Sequence, residues 1–266
     1  MNRAILTASV AALVCLAVAP AYAQSSGEAS ASAHRSWSDS VRGAAANGSF
    51  LPLSLTPSVG AVAAQAAGYG GYDSADGAAV MTSFAEARIY GPLALRAGAT
   101  LNDGGEELGP FIGGRVQLLT EAGQGVAGAA ALLYKAEGFD EPEGEIELVL
   151  SLGKRVGRTL LIGNLAYGQD PEGNERDGEL RAAALLRLSD ALHLGVDAQG
   201  RFDLGSDRDK LRRTNEPTYD LDAGPVLTCA LGPIALVAHS GVSVVRRLEQ
   251  SADLGVVALG GLGTAF

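Results

Sequence analysis

Within the candidate strands of this chain, charged side chains keep to one parity and the other parity is almost wholly apolar. In Leu192–Asp203, Leu192, Leu194, Val196, Ala198 and Phe202 alternate with His193, Asp197, Gln199, Arg201 and Asp203. Successive side chains of a strand point to opposite faces, so this segment is a ribbon with one apolar and one charged side. The pattern returns in Gly178–Leu188, where Leu180, Ala182, Ala184, Leu186 and Leu188 oppose Glu179, Arg181 and Arg187. It returns again in Glu145–Gly153 and in Tyr219–Cys229. A soluble sheet packed on a core would alternate in the same way, so the periodicity alone does not place the chain.

The start of the chain narrows the choice. Asn2 and Arg3 precede an apolar run, Ala4–Val18, and Ala21-Tyr22-Ala23 offers a small-x-small cleavage site before Gln24. That is the pattern of a cleaved signal peptide spanning residues 1–23, and the run is too short to be a comfortable membrane span. Residues Ala12-Leu13-Val14 before Cys15 make a poor lipoprotein box, and cleavage would leave Cys229 as the one remaining cysteine, with no intramolecular partner. The formal charge of −10 argues against nucleic acid, which rewards basic patches.

Connections along the chain alternate in length. Long polar ones lie at Gly70–Ala78, Asn102–Gly109, Glu137–Gly144, Gln169–Gly178, Leu204–Thr218 and Arg246–Ala252. Short ones lie at Tyr90–Pro92, Thr120–Gly125, Lys154–Arg158, Ser189–Ala191 and Ala230–Pro233. Six long and five short connections join twelve strands, provided that Ser58–Tyr69 is the first. Short turns at one end and long loops at the other are the asymmetry of an outer-membrane barrel. Aromatics make up only 5% of the chain, yet Tyr134, Tyr167, Phe202 and Tyr219 all adjoin long loops, on the parity that would face lipid. Phe266 ends a strand whose even positions read Leu254, Val256, Ala258, Gly260, Leu262, Thr264 and Phe266.

On these features the chain resembles the bacterial outer-membrane β-barrels, the porin-like class, over Ser58–Phe266. The fold expected is all-β: an antiparallel up-and-down transmembrane β-barrel of twelve strands. The resemblance implies that Phe266 is the insertion signal read by the barrel assembly machinery. It also implies outer-membrane lipid as the surrounding medium and the bacterial outer membrane as the location. A soluble periplasmic barrel or sandwich is the alternative; it accounts for the alternation but not for the loop asymmetry, the one-sided aromatics or Phe266.

Residues 24–57 are rich in Ser, Ala and Gly and read as a disordered periplasmic segment. A short helix is expected at Ser36–Ala46, capped by Ser36 or Ser38, with Trp37 as its large anchor. Twelve strands leave both barrel ends on the periplasmic side, so this segment lies in the periplasm or tucks into the lumen. Autotransporter translocators also pair a helix with twelve strands, but Gln24–Pro57 is too short to be a passenger.

Function must then reside in the lumen. The residues expected to line it are Arg88, Arg96, Arg115, Glu145, Glu147, Glu179, Arg181, Arg187, Asp197, Arg201, Asp203, Asp220 and Asp222. Glu145, Glu147, Glu179, Asp203, Asp220 and Asp222 gather near the external mouth, and Arg88, Arg96, Arg158 and Arg187 nearer the periplasmic half, with Arg115 between. Rings of charge set ion preference in pores, so the expectation is a narrow charge-lined channel for small polar solutes. The alternative is a non-conducting barrel whose acidic external loops bind a partner or a surface polymer. Catalysis finds little support. His239-Ser240 is the one suggestive pair, but adjacent strand residues face opposite ways, and Ser243 on the same face lies about 13 Å along the strand. Asp170-Pro171-Glu172-Gly173-Asn174 has the opening of a calcium loop, yet Arg181 stands where the closing glutamate belongs. No cofactor, metal site or catalytic residue is therefore expected.

Overall fold

The computed structural model describes residues 37–59, 61–102, 107–139, 144–171, 173, 175–206, 208, 211 and 217–266. The proposed signal peptide, and with it Cys15, lies outside them. Twelve antiparallel strands close into one barrel, each paired with its chain neighbour and β1 with β12. They are β1 (Ala64–Asp73), β2 (Ala78–Tyr90), β3 (Leu93–Asn102), β4 (Glu107–Leu119), β5 (Ala127–Ala136) and β6 (Gly144–Val156). Then follow β7 (Thr159–Gln169), β8 (Arg176–Arg187), β9 (Leu192–Asp203), β10 (Pro217–Leu231), β11 (Ile234–Arg247) and β12 (Asp253–Ala265). The closing seam runs in register from Gln65 opposite Ala265 to Asp73 opposite Val257. Closure leaves no strand edge with unpaired backbone, which is the condition for a sheet to stand in hydrocarbon.

The first strand departs from the sequence expectation. It starts at Ala64 rather than Ser58, and Gly70, Gly71 and Tyr72, expected in a loop, pair with both β12 and β2. Glycine marks a turn only where nothing pairs with it, and here two neighbours do. The other strands also extend further into the expected loops, so the long-loop connections shorten to four residues at 74–77 and thirteen at 204–216. At the opposite end, Gly91, Gly157 and Gly232 open two-residue turns at φ 51°, 59° and 62°. That left-handed conformation suits hairpin turns and carries no side-chain clash at glycine. Two connections at this end are longer: 188–191, and 120–126, which contains the single-turn α2 (Glu121–Gln124).

Facing follows parity all round the ring. Outward positions carry exposed apolar side chains, among them Leu95, Ile112, Leu148, Leu150, Leu165, Leu194, Val196 and Leu236. The charged residues on this parity, Lys154, Arg176 and Arg246, stand at or near strand ends among the described residues. Tyr134, Tyr167, Phe202 and Tyr219 face outward at the long-loop end, and the rings of Phe202 and Tyr219 lie 5.4 Å apart. An apolar belt of this size on a monomeric soluble surface would aggregate, whereas facing lipid it is the stable arrangement.

The inward face of the short-turn half mixes large side chains with many small ones. Ala67, Ala94, Ala127, Ala129, Ala131, Ala183, Ala230, Ala235 and Ala265 are all buried there or near mid-barrel. Residues 37–59 pack against this face inside the ring. The helix α1 (Trp37–Ala46) rests against β10, β11 and β12, with Val41 and Ala44 fully buried.

Candidate functional site in the barrel lumen

Three layers occupy the lumen. The lowest, at the short-turn end, is apolar: Val41, Ala44, Ala45, Phe50 and Leu51 of the N-terminal segment pack on Leu160, Ile162, Leu185 and Val237 of the barrel. Phe50 sits where β12 has no side chain. A Cβ on Gly263 would lie 2.5 Å from the Phe50 Cδ1, so the ring depends on that glycine. Gly48 makes the turn into this seat at φ +70°, and Arg155 holds it by donating to the Ala46 carbonyl at 2.9 Å and the Asn47 side chain at 3.2 Å. At the rim, the Trp37 indole N–H donates to Thr264 Oγ1 at 3.1 Å and its ring lies 4.9 Å from that of Phe266. Trp37 thus fastens α1 to the last strand of the closing seam.

The middle layer is a strap, residues 53–59, that crosses the lumen without joining the sheet. Its main chain is bonded instead by inward side chains of three strands. Asp197 of β9, fully buried, accepts from the Leu53 amide at 2.9 Å and the Ser54 hydroxyl at 2.5 Å. Asn164 of β7 accepts from the Leu55 amide and donates to the Leu55 carbonyl, both at 2.8 Å, and is itself steadied by Ser151 of β6 at 3.0 Å. Arg115 of β4 donates to the Thr56 carbonyl, and Gln117 accepts from the Val59 amide at 2.7 Å. A buried peptide group without a partner costs free energy comparable to a lost hydrogen bond. These four side chains supply the partners that a sheet neighbour otherwise would. Arg115 does double duty, since its guanidinium also meets the Glu86 carboxylate at 2.5 Å, which Arg96 approaches at 3.4 Å.

The upper layer is ionic. Glu147, buried on β6, lies between Lys135 of β5 and Arg181 of β8, and Arg181 also pairs with Glu179. Arg201 of β9 pairs with Asp177 of β8. Gly168 of β7 lets the ladder pass, because a Cβ there would run into both Glu145 and Asp177. Above it lies a small cavity of about 20 Å³, lined by Glu145, Gln169, Asp177, Arg201 and Asp203 among others. On the opposite wall, Asp73 accepts from Ser243 at 2.6 Å, and one carboxylate oxygen each of Asp220 and Asp222 is buried without a hydrogen-bond partner.

All thirteen residues expected to line the channel stand on the inward parity. Arg88 and Arg187 are exposed at the short-turn rim, and Glu145, Arg201, Asp203, Asp220 and Asp222 lie at the long-loop end. Arg96, Arg115, Glu147, Glu179, Arg181 and Asp197 do not border an open path; they are tied into ion pairs or into the strap. Residues 37–59 occupy much of the lumen between the short-turn rim and the ionic layer. Sequence reasoning did not single out Phe50, Asn164, Gln117 or Gly263. A signal for the strap was present: Phe50, Leu51, Leu53 and Leu55, broken by Pro52 and Pro57, form an apolar but non-helical run.

His239 faces inward and is buried while Ser240 is exposed on the outer face, so the two do not form a catalytic pair. Ser243 is engaged by Asp73. The candidate calcium loop falls partly outside the described residues, at Glu172 and Asn174. Among the described residues, no group of three or more His, Cys, Asp or Glu side chains is arranged to hold a metal ion.

No protein-family model and no curated protein matches the sequence. Solved structures do. A NanC porin aligns over 76% of this chain and 98% of its own, at 9% identity and a TM-score of 0.52. A KdgM porin aligns over 76% and 99%, at 7% identity and a TM-score of 0.53, and the same porin in complex with disordered oligogalacturonate matches at 8% and 0.53. At such identities the likeness speaks to architecture: this chain folds as a closed, twelve-stranded antiparallel barrel similar in fold to these porins.

Proposed function

We propose that the protein is an outer-membrane channel for small hydrophilic solutes whose lumen is closed at rest by its own N-terminal segment. One observation carries this reading. The short-turn half is occupied by a segment bonded to the wall but not part of the sheet. A ring of twelve strands encloses more space than the eight-stranded barrels that side chains alone fill. The apolar belt and the aromatic residues at the long-loop end support an outer-membrane setting, with that end outward and both chain ends of the barrel toward the periplasm. The solved porins of the same architecture support a transport role.

Planar-bilayer recording tests the proposal. Wild-type protein is expected to be mostly closed, and Phe50→Ala, which removes the largest apolar contact of the segment, to raise the open fraction at least tenfold. A folded Phe50→Ala barrel as silent as wild type would leave the second reading, a sealed barrel binding a partner or surface polymer through its acidic loops.

The charged mouth refines the expectation. Glu145 borders the cavity, whereas Glu147 is buried between two cations. Glu145→Gln should therefore shift the reversal potential of open channels toward anion preference, most strongly in dilute salt where screening is weak. Glu147→Gln should instead loosen the ladder and lower stability. Equal selectivity in wild type and Glu145→Gln would count against the acidic mouth. For Phe266 the proposal is an insertion signal for the assembly machinery. Its deletion should reduce the barrel recovered in the outer-membrane fraction with heat-modifiable gel mobility, while export continues; undiminished recovery would refute that role.

A further inference from the structure

We propose that Arg115, Gln117, Asn164 and Asp197 form a binding track that reads peptide main chain, and that an extended oligopeptide is the ligand it takes when residues 53–59 vacate it. The inference rests on the channel reading only in that the strap must be able to leave.

The argument is the chemistry of the contacts. Of the strap's bonds to these four side chains, all but one go to backbone groups: the amides of Leu53, Leu55 and Val59 and the carbonyls of Leu55 and Thr56. The exception is the Ser54 hydroxyl. Asn164 accepts from the amide and donates to the carbonyl of a single residue, which is how one strand reads another and is indifferent to the side chain. Asp197, two strands away, takes the amide two residues earlier, matching the two-residue repeat of an extended peptide. All four are on barrel strands, and Asn164 and Gln117 are held by further bonds to the wall at Ser151 and Gly128. The track is therefore part of the wall and not of the strap.

The test uses the full chain with the strap displaced by Gly263→Val, which puts a side chain into the Phe50 seat and leaves the track intact. Gly48→Ala is the second background: it strains the segment at φ +70°, with the new Cβ 2.8 Å from Ile162 Cδ1. Heat-modifiable mobility identifies the folded background. The probe is a fluorescein-labelled peptide with the sequence of residues 52–59, followed by fluorescence anisotropy in detergent micelles. The expected result is saturable binding that weakens at least tenfold on adding Asn164→Ala, and at least tenfold when the peptide is N-methylated at the residue matching Leu55. A peptide with the same prolines and the other residues reordered should bind within a few-fold. The proposal is overturned by absence of saturable binding, by equal binding of the N-methylated peptide, or by binding of the native order alone. Because anisotropy needs no current, a barrel that binds peptide but never conducts would refute the channel reading and leave this one standing. A conducting barrel that ignores peptide does the reverse.

Discussion

Gly263→Val is expected to convert a closed barrel into an open one without touching the segment that closes it. The Phe50 ring lies against the β12 backbone at Gly263, with Cδ1 and Cε1 2.5 and 2.7 Å from where a Cβ would be, and the ring is 1% exposed. Valine occupies that space on a strand paired on both sides, at Gly263 opposite Ala235 and Ala67. The strand cannot recede, so the ring must. Losing the buried phenyl forfeits about 3–5 kcal/mol, the usual cost of emptying such a seat. That is comparable to what four or five main-chain hydrogen bonds contribute to holding the strap, at about 1 kcal/mol each. The expected outcome is a marked rise in conductance, together with cleavage of residues 47–59 by added protease while the barrel keeps its heat-modifiable mobility. Conductance and protease resistance at wild-type levels would mean that Phe50 is no latch.

Arg115→Ala should be the most destabilising single truncation in the lumen. Its side chain is buried, meets Glu86 at 2.5 Å and donates to the Thr56 carbonyl, so it couples the barrel wall to the strap. Removing one member of a buried ion pair leaves an uncompensated charge, at a typical cost of about 3–5 kcal/mol. Arg96, 3.4 Å from the same carboxylate, softens the loss toward the lower end of that range. A lower urea midpoint is expected, with partial rescue by Arg115→Lys, which keeps the charge but cannot span both partners as the guanidinium fork does. If Glu86→Gln is added, only part of the loss should return, because the under-compensated carboxylate is gone but Arg96 then loses its partner. Indifference of the urea midpoint to Arg115→Ala would show that the pair and the strap contact carry little of the stability.

The barrel was legible in the sequence because its cause is periodic. A two-sided ribbon repeated twelve times leaves its parity in every strand, as in Leu192–Asp203, and the turn glycines punctuate it. The inward placement of the charges followed from the same parity. What the sequence did not disclose was how the charges are used. Whether Glu147 borders water or sits between Lys135 and Arg181 depends on register across three hairpins, which no local pattern encodes. Residues 47–59 were harder still. Their low-complexity surroundings and prolines read as disorder, since an isolated strap has no ladder of its own. Its order comes from Asp197, Asn164 and Gln117, residues more than fifty positions away. Pro52 and Pro57 exclude helix and sheet but suit an extended segment bonded by side chains, and that distinction is settled only by what surrounds it.

Residue-resolved hydrogen–deuterium exchange on full-length protein in bilayer nanodiscs tests the central claim most directly. The amides of Leu53, Leu55 and Val59 are each bonded to a luminal side chain at 2.7–2.9 Å. The account predicts that these three exchange at least a hundredfold more slowly than an unstructured peptide of the same sequence, and that Gly263→Val returns them to peptide-like rates while strand amides stay protected. Peptide-like exchange at all three in the wild-type protein would contradict a lumen closed by its own N-terminal segment.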